Sequence, residues 1–128
     1  EDEIRNLFWG RTHDLWEMAE TLASFGCDIV VVKRGARGQL VYDRVGNRKW
    51  EIPGYPSNFV DPTGAGDAFC GGFLAGYAAN LDPLQAALHG NISSSFAIEG
   101  NGPFYLLDSM PGLAQARLAS LTDLVRQV

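Results

Sequence analysis

The sequence predicts an α/β fold, a three-layer αβα sandwich, on three observations. Asp28-Ile29-Val30-Val31-Val32-Lys33 is a continuous β-branched run, the pattern of a strand buried on both faces. Apolar residues recur at helical spacing before it, at Leu15, Met18, Ala19, Leu22 and Phe25, and long helical patterns follow residue 67. Between these, Gly46-Asn47 separates two short strand-like runs as a hairpin turn does. Strands early, helices late and a hairpin between them fit a sheet covered by helices.

In chain order, Ile4, Leu7 and Phe8 give Glu3 to Trp9 the spacing of a short amphipathic helix that Gly10 ends. A second helix runs from about His13 to Phe25, with Gly26 as its C-cap. The Asp28–Lys33 run reads as a strand of a parallel sheet. Gly35-Ala36-Arg37-Gly38 then turns the chain into Gln39–Asp43, and Lys49–Ile52 completes the hairpin. Asn58-Phe59-Val60 is a short extended piece. From Asp67 to about Asn80 a run of small and apolar residues reads as a buried helix. Asp82 N-caps the next one, with Pro83 at its first position, to about Glu99. Gly100-Asn101-Gly102-Pro103 breaks it, and a last helix begins after Ser109 and runs through Leu113, Ala116, Leu118, Leu121 and Val125.

At 128 residues the chain is expected to form a single domain over 1–128, and its 46% hydrophobic and 20% charged residues are ordinary for a globular protein. A net charge of −5 disfavours nucleic acid as a partner. No Lys or Arg occurs between Lys49 and Arg117, while Glu51, Asp61, Asp67, Asp82, Glu99 and Asp108 lie in that span. A nucleotide bound there needs backbone amides and a divalent cation, with Lys33, Arg34 and Arg37 the nearest basic candidates. No apolar run reaches about 18 residues, which disfavours a membrane span. Glu1-Asp2-Glu3 is no signal-peptide start, so a cytoplasmic location is expected. Cys27 and Cys70 lack metal-ligand spacing and are expected buried and reduced. Opening in mid-element without Met, the chain is expected to be a piece of a longer protein.

The segment Asp61-Pro62-Thr63-Gly64-Ala65-Gly66-Asp67, running into Ala68-Phe69-Cys70-Gly71-Gly72-Phe73-Leu74, carries the chemistry. Pro62 favours an extended Asp61, and glycines at a helix start leave amides free for a phosphate or a transferring phosphoryl group. Asp67 falls in the first turn of that helix, where a carboxylate is favoured by about 0.3–1 kcal/mol. A carboxylate beside an anion site weakens passive anion capture, so Asp67 reads as a base.

This segment resembles the second signature of the ribokinase, or PfkB, family of carbohydrate kinases. The resemblance implies that Asp67 takes the proton of the acceptor hydroxyl and that the loop Gly64, Ala65 and Gly66 forms the anion hole, with the amides of Ala65, Gly66 and Asp67 on the phosphoryl oxygens. Lys33-Arg34-Gly35-Ala36-Arg37-Gly38 resembles the family's Thr-x-Gly-x-x-Gly nucleotide loop, with Gly35 and Gly38 in place and Lys33 where Thr or Ser is usual. Lys33 either reaches a phosphate as a point charge or pairs with a local carboxylate. Glu3 resembles the last residue of the family's Asn-x-x-Glu magnesium motif, whose Asn falls one residue before Glu1; an ordinary first-turn glutamate is the other reading. His89 to Gly100 has the spacing between an adenine-side residue and the glycine closing the nucleotide pocket, with Asn91 and Ser95 as weaker neighbours, although a lone helical His is more often a satisfied one. Asp61 and Thr63 match positions lining a monovalent-cation site, so potassium is expected with ATP and magnesium.

What the resemblance implies is a ribokinase-like sandwich, C-terminal portion only, from an ATP-dependent phosphotransferase acting on a hydroxyl of a sugar or sugar-like small molecule. A nucleoside kinase of the same family is the near alternative. An inactive nucleotide-binding fragment is another, because the family's N-terminal half, with its first glycine signature and most sugar contacts, is missing from these residues. A structural domain whose exposed sheet meets a partner is a third. The implied partners are the small-molecule substrate and, for assembly, a second copy in a homodimer, with neither nucleic acid nor membrane.

Overall fold

The computed structural model describes residues 1–102, 104–108 and 110–128. Pro103, the last residue of the predicted break, and Ser109, which precedes the predicted last helix, lie outside the described residues. Strands β1 (Ile29–Lys33), β2 (Gln39–Asp43), β3 (Arg48–Ile52) and β4 (Arg126–Gln127) form one sheet in the order β1-β2-β3-β4. Every neighbouring pair is antiparallel, with Val31 opposite Val41 and Val41 opposite Trp50.

The β-branched run is therefore not a parallel strand. Residues 34–38 and 44–47 are too few for a parallel crossover, which takes about a dozen residues or more. Its burial on both faces comes from helices above and below. Val30 and Val32 join Leu40 against Met18, Ala19 and Ala23 of α2 (Leu15–Ser24), with Ile4 and Phe8 from α1 (Asp2–Leu7) and its end. On the opposite face Ile29 and Val31 join a core of Val41, Trp50 and Ile52 under Leu88, Ile92 and Phe96 of α4 (Pro83–Ala97) and Leu121 of α5 (Pro111–Thr122). These are the three layers.

Helix α3 (Ala65–Asn80) packs along α4, backbone close to backbone. A Cβ on Gly72 would lie 2.8 Å from His89 O, and one on Gly90 2.9 Å from Phe69 O. The expectation of a buried α3 fails: only Phe69 and Gly76 are buried, and Leu74 is 66% exposed. One glycine-lined side meets α4 and the rest faces outward. Cys70 is exposed with it, and so is Cys27 in the turn before β1, contrary to the expectation for both thiols.

Helix ends follow their capping residues. Asp14 Oδ1 accepts the Trp16 amide at 2.8 Å and starts α2, two residues later than expected, while Asp82 Oδ1 accepts the Leu84 amide at 2.9 Å ahead of Pro83. The chain leaves α5 at Thr122 rather than Val125 and adds β4 to the sheet edge, where the Val128 amide donates to Lys49 O at 3.0 Å. Among the described residues no helix is long and apolar enough to cross a membrane.

Candidate active site

A cleft of about 300 Å³ opens where the turn after β1, the Gly54-Tyr55 loop after β3, the start of α3 and one side of α4 converge. Lys33 ends β1 at its rim. The chain then makes a tight turn in which the Arg34 amide donates to Gly38 O at 2.8 Å and Gly38 takes φ +80°. A Cβ on Gly38 would lie 2.0 Å from Ile52 O, so bare backbone is needed there twice over, for conformation and for approach. Gly54 meets the same turn from the other side, its Cβ position 2.5 Å from Ala36 O. The cleft floor is two backbone segments in contact.

Across the cleft, Asp61 Oδ1 accepts the Thr63 amide at 2.9 Å, a bond that holds the Asp61 carboxyl below its usual 3.8. Gly64 takes φ +80°, and the Ala65 amide is spent on Pro62 O at 3.1 Å. Ala65 therefore does not supply the free donor that the resemblance assigned to it. Among the described residues the Gly66 and Asp67 amides have no acceptor, and they stand at the positive end of a 16-residue helix.

Lys33 reaches this point. Its Nζ lies 5.9 Å from the Phe69 ring centroid and 3.1 Å from where a Gly66 Cβ would be. Among the described residues it forms no ion pair, so pairing with a local carboxylate has no partner here. An ammonium thus stands beside Gly66 at the start of a helix whose Gly66 and Asp67 amides are unspent, an arrangement suited to phosphate.

The structure brings Lys33, Gly35, Gly38, Ala65 and Gly66 to the cleft, with exposed Asp67 next along α3. Asp61 and Thr63 shape the loop leading in. Three expected residues lie elsewhere. Glu3 is exposed in the first turn of α1 and does not line the cleft. His89 turns toward α3, where its Cβ is 2.9 Å from a Cβ placed on Gly76, and lines a separate groove with Ile92 and Leu118. Gly100 is buried beneath Tyr105, a Cβ there being 2.2 Å from the ring. Among the described residues no three His, Cys, Asp or Glu side chains gather to hold a metal.

Sequence reasoning ranked Asn91 as a weak neighbour and did not single out Gln39. Asn91 Nδ2 donates to Pro53 O at 2.8 Å and to Gln39 Oε1 at 3.1 Å, and its Oδ1 accepts the Tyr55 amide at 3.1 Å. This buried amide pair pins the Gly54-Tyr55 wall to α4. Ser94 Oγ donates to Ala65 O at 2.9 Å and ties the same helix to the start of α3. The Pro53-Gly54 pair directly after a strand was the available signal for that wall.

Comparison with known proteins agrees with this geometry. The chain is 48% identical over 72 residues to a cytidine kinase of Thermococcus kodakarensis, covering 56% of this chain and 26% of that protein. It is 32% identical over 108 residues to a nucleoside kinase of Methanocaldococcus jannaschii, covering 78% of this chain and 35% of the relative. The chain thus spans about a third or less of these relatives. A fructokinase from Vibrio cholerae, solved with fructose, ADP and calcium bound, superposes with a TM-score of 0.71 at 30% identity, over 94% of this chain and 38% of the other. The family model for pfkB family carbohydrate kinases matches residues 1–109, and with the glycine turn, the Asp61–Asp67 loop and the fold in agreement, the chain belongs to that family.

Proposed function

We propose that this chain is the nucleotide-binding and catalytic part of a longer kinase that moves the terminal phosphoryl of ATP to a hydroxyl of a sugar or sugar-like small molecule. The observation that carries this is the placement of Lys33 Nζ beside Gly66 at the cleft, at a helix start whose Gly66 and Asp67 amides are unspent. Positive charge and donors fixed in advance are what phosphoryl transfer asks of a protein.

In this mechanism the two amides and Lys33 hold the oxygens of the transferring group, and the Gly35–Gly38 turn bears the rest of the nucleotide. Magnesium, when bound with ATP, offsets phosphate charge. The Asp67 carboxylate orients the acceptor hydroxyl, whose oxygen bonds to the terminal phosphorus as the bond to the bridging oxygen breaks. Asp67 then receives the hydroxyl proton, and ADP and the phosphate ester leave. Asp61 and Thr63 are the positions at which potassium would act. The same reading carries a cytoplasmic location and assembly as a homodimer, which light scattering checks.

A second reading, a nucleoside as the acceptor, draws support from the cytidine and nucleoside kinases among the relatives. The full-length protein assayed with ATP, magnesium and a panel of sugars and nucleosides separates the two. In that protein Asp67→Asn is expected to lower turnover about 10²–10⁴-fold and to keep most ATP affinity. Unchanged turnover removes Asp67 from the chemistry. For the 128-residue chain alone, nucleotide binding without turnover is expected.

A further inference from the structure

Arg117 is the first Lys or Arg after Lys49, lies outside the 1–109 family match, and is 7% exposed. Its guanidinium sits between two rings, 4.0 Å from the Phe96 centroid and 5.0 Å from that of Tyr55. Nη1 donates to Ser95 Oγ at 2.9 Å, and Nη2 donates to the two Glu99 carboxylate oxygens at 2.8 and 2.7 Å. Helix α5 therefore grips the end of α4, the turn that follows it and the ring of a cleft-wall residue with one side chain.

The turn after α4 holds the other side of the site as well. Ile98 O, one residue before Glu99, accepts the Val60 amide at 2.7 Å and the Asp61 amide at 3.2 Å, so the loop leading to Gly64–Asp67 hangs from it. Tyr55, Ser95 and Ile98 all line the cleft. Two features of the site, its Tyr55 wall and its Asp61 loop, share a support that Arg117 fixes.

We infer that Arg117 is a positioning residue that sets the cleft geometry and, through it, nucleotide affinity; the second part rests on the kinase reading above. A buried charge stripped of its partner destabilises a protein broadly, so Arg117→Met alone is a poor test. Arg117→Met combined with Glu99→Gln removes both charges at similar volume, an exchange that buried pairs often tolerate. Arg117→Lys keeps the charge and loses the planar fork.

The test uses the full-length protein without ligand, by amide hydrogen exchange. The double variant, with its melting temperature near that of wild type, is expected to exchange at Tyr55, Val60 and Asp61 about tenfold faster, the size set by losing a bond to a charged group. Arg117→Lys is expected to fall between. Unchanged exchange at these amides in a folded double variant overturns the inference. Calorimetry with ATP and magnesium is the second readout, with affinity about tenfold weaker in the double variant and the loss falling on KM for ATP more than on kcat. Faster exchange with unaltered affinity overturns the link to nucleotide. Failure of the wild-type protein to bind ATP strikes the kinase reading instead, and the exchange result still decides the role of Arg117.

Discussion

Lys33 Nζ stands over the Phe69 ring, 5.9 Å from its centroid, so the end of β1 and the N-terminal part of α3 meet through one ammonium. The contact is an aromatic rest for a cation with no carboxylate partner among the described residues. A charge held in this way is available to an incoming anion.

Lys33→Met in the full-length protein is therefore expected to weaken ATP binding about tenfold, the order of one lost charge-assisted bond. The salt dependence of ATP affinity should flatten in the variant, because the screened charge is gone. Titration calorimetry at two ionic strengths checks both effects. Equal affinity at low salt would take Lys33 out of phosphate binding.

Gly66 gives a sharper test of the same place. A Cβ there would lie 3.1 Å from Lys33 Nζ, the far end of a flexible side chain that can move away. Gly66→Ala should thus fold with stability within about 0.5 kcal/mol of wild type, because Gly66 is not in the packed core and its one close neighbour can yield. Turnover should nonetheless fall, because the ammonium is displaced from the start of α3. Gly66→Val should show the larger loss. A Gly66→Val enzyme with full activity and unaltered melting would mean that no anion is held at these amides.

The two glycine segments were legible in the sequence because their spacing encodes backbone geometry, which a strand on one side and a helix on the other make unambiguous. The hairpin was legible for the same reason, from Gly46-Asn47 between alternating strands. Strand direction was not, since Ile29–Lys33 buries both faces equally well under helices whichever way its neighbours run. Two-residue β4 carries no pattern at all. The composition of α3 is apolar around its whole circumference, so no face could be read as outward. Along α4, His89 and Asn91 are two positions and roughly 200° apart, whereas Asn91 and Ser95, four apart, share a side. The helix can offer the cleft one set only, and it offers Asn91 and Ser95. The buried role of Arg117 carries no sequence signal, because a single arginine on a helical pattern has the same spacing whether solvated or buried.

Gly35 and Gly38 occupy one turn, and their replacement by alanine should separate conformational strain from collision. Gly35 has φ +58° with open space around its Cβ position, so Gly35→Ala should cost about 1–2 kcal/mol from the left-handed backbone alone. Gly38 adds a collision with Ile52 O at 2.0 Å to its φ of +80°. Gly38→Ala should therefore cost about 4 kcal/mol or more, in the range reserved for such steric failures. Urea unfolding of the full-length variants measures the difference. Equal losses would show that the turn and the β3 end are not in contact.

The hairpin itself predicts a pH dependence. Asp43 Oδ1 accepts the Gly46 amide at 2.9 Å, and Oδ2 accepts Arg48 Nε and Nη2 at 3.1 and 2.8 Å, with the carboxylate side chain 6% exposed. Burial pushes this carboxyl up, but the Gly46 amide and Arg48 outweigh it and hold the group below its usual 3.8. A carboxyl lowered by folding contributes stability that is complete above the unfolded value and is lost as pH falls through the folded one. Asp43→Asn should consequently destabilise the protein by about 1–3 kcal/mol at pH 7, the range for bonds to a charged group. That gap should narrow as pH falls below 3.8, where wild type protonates and the variant has nothing to titrate. Denaturant unfolding of both proteins from pH 7 to pH 3 follows it, and a gap that stays constant to the acid end would mean that the Asp43 carboxylate is not held by Gly46 and Arg48.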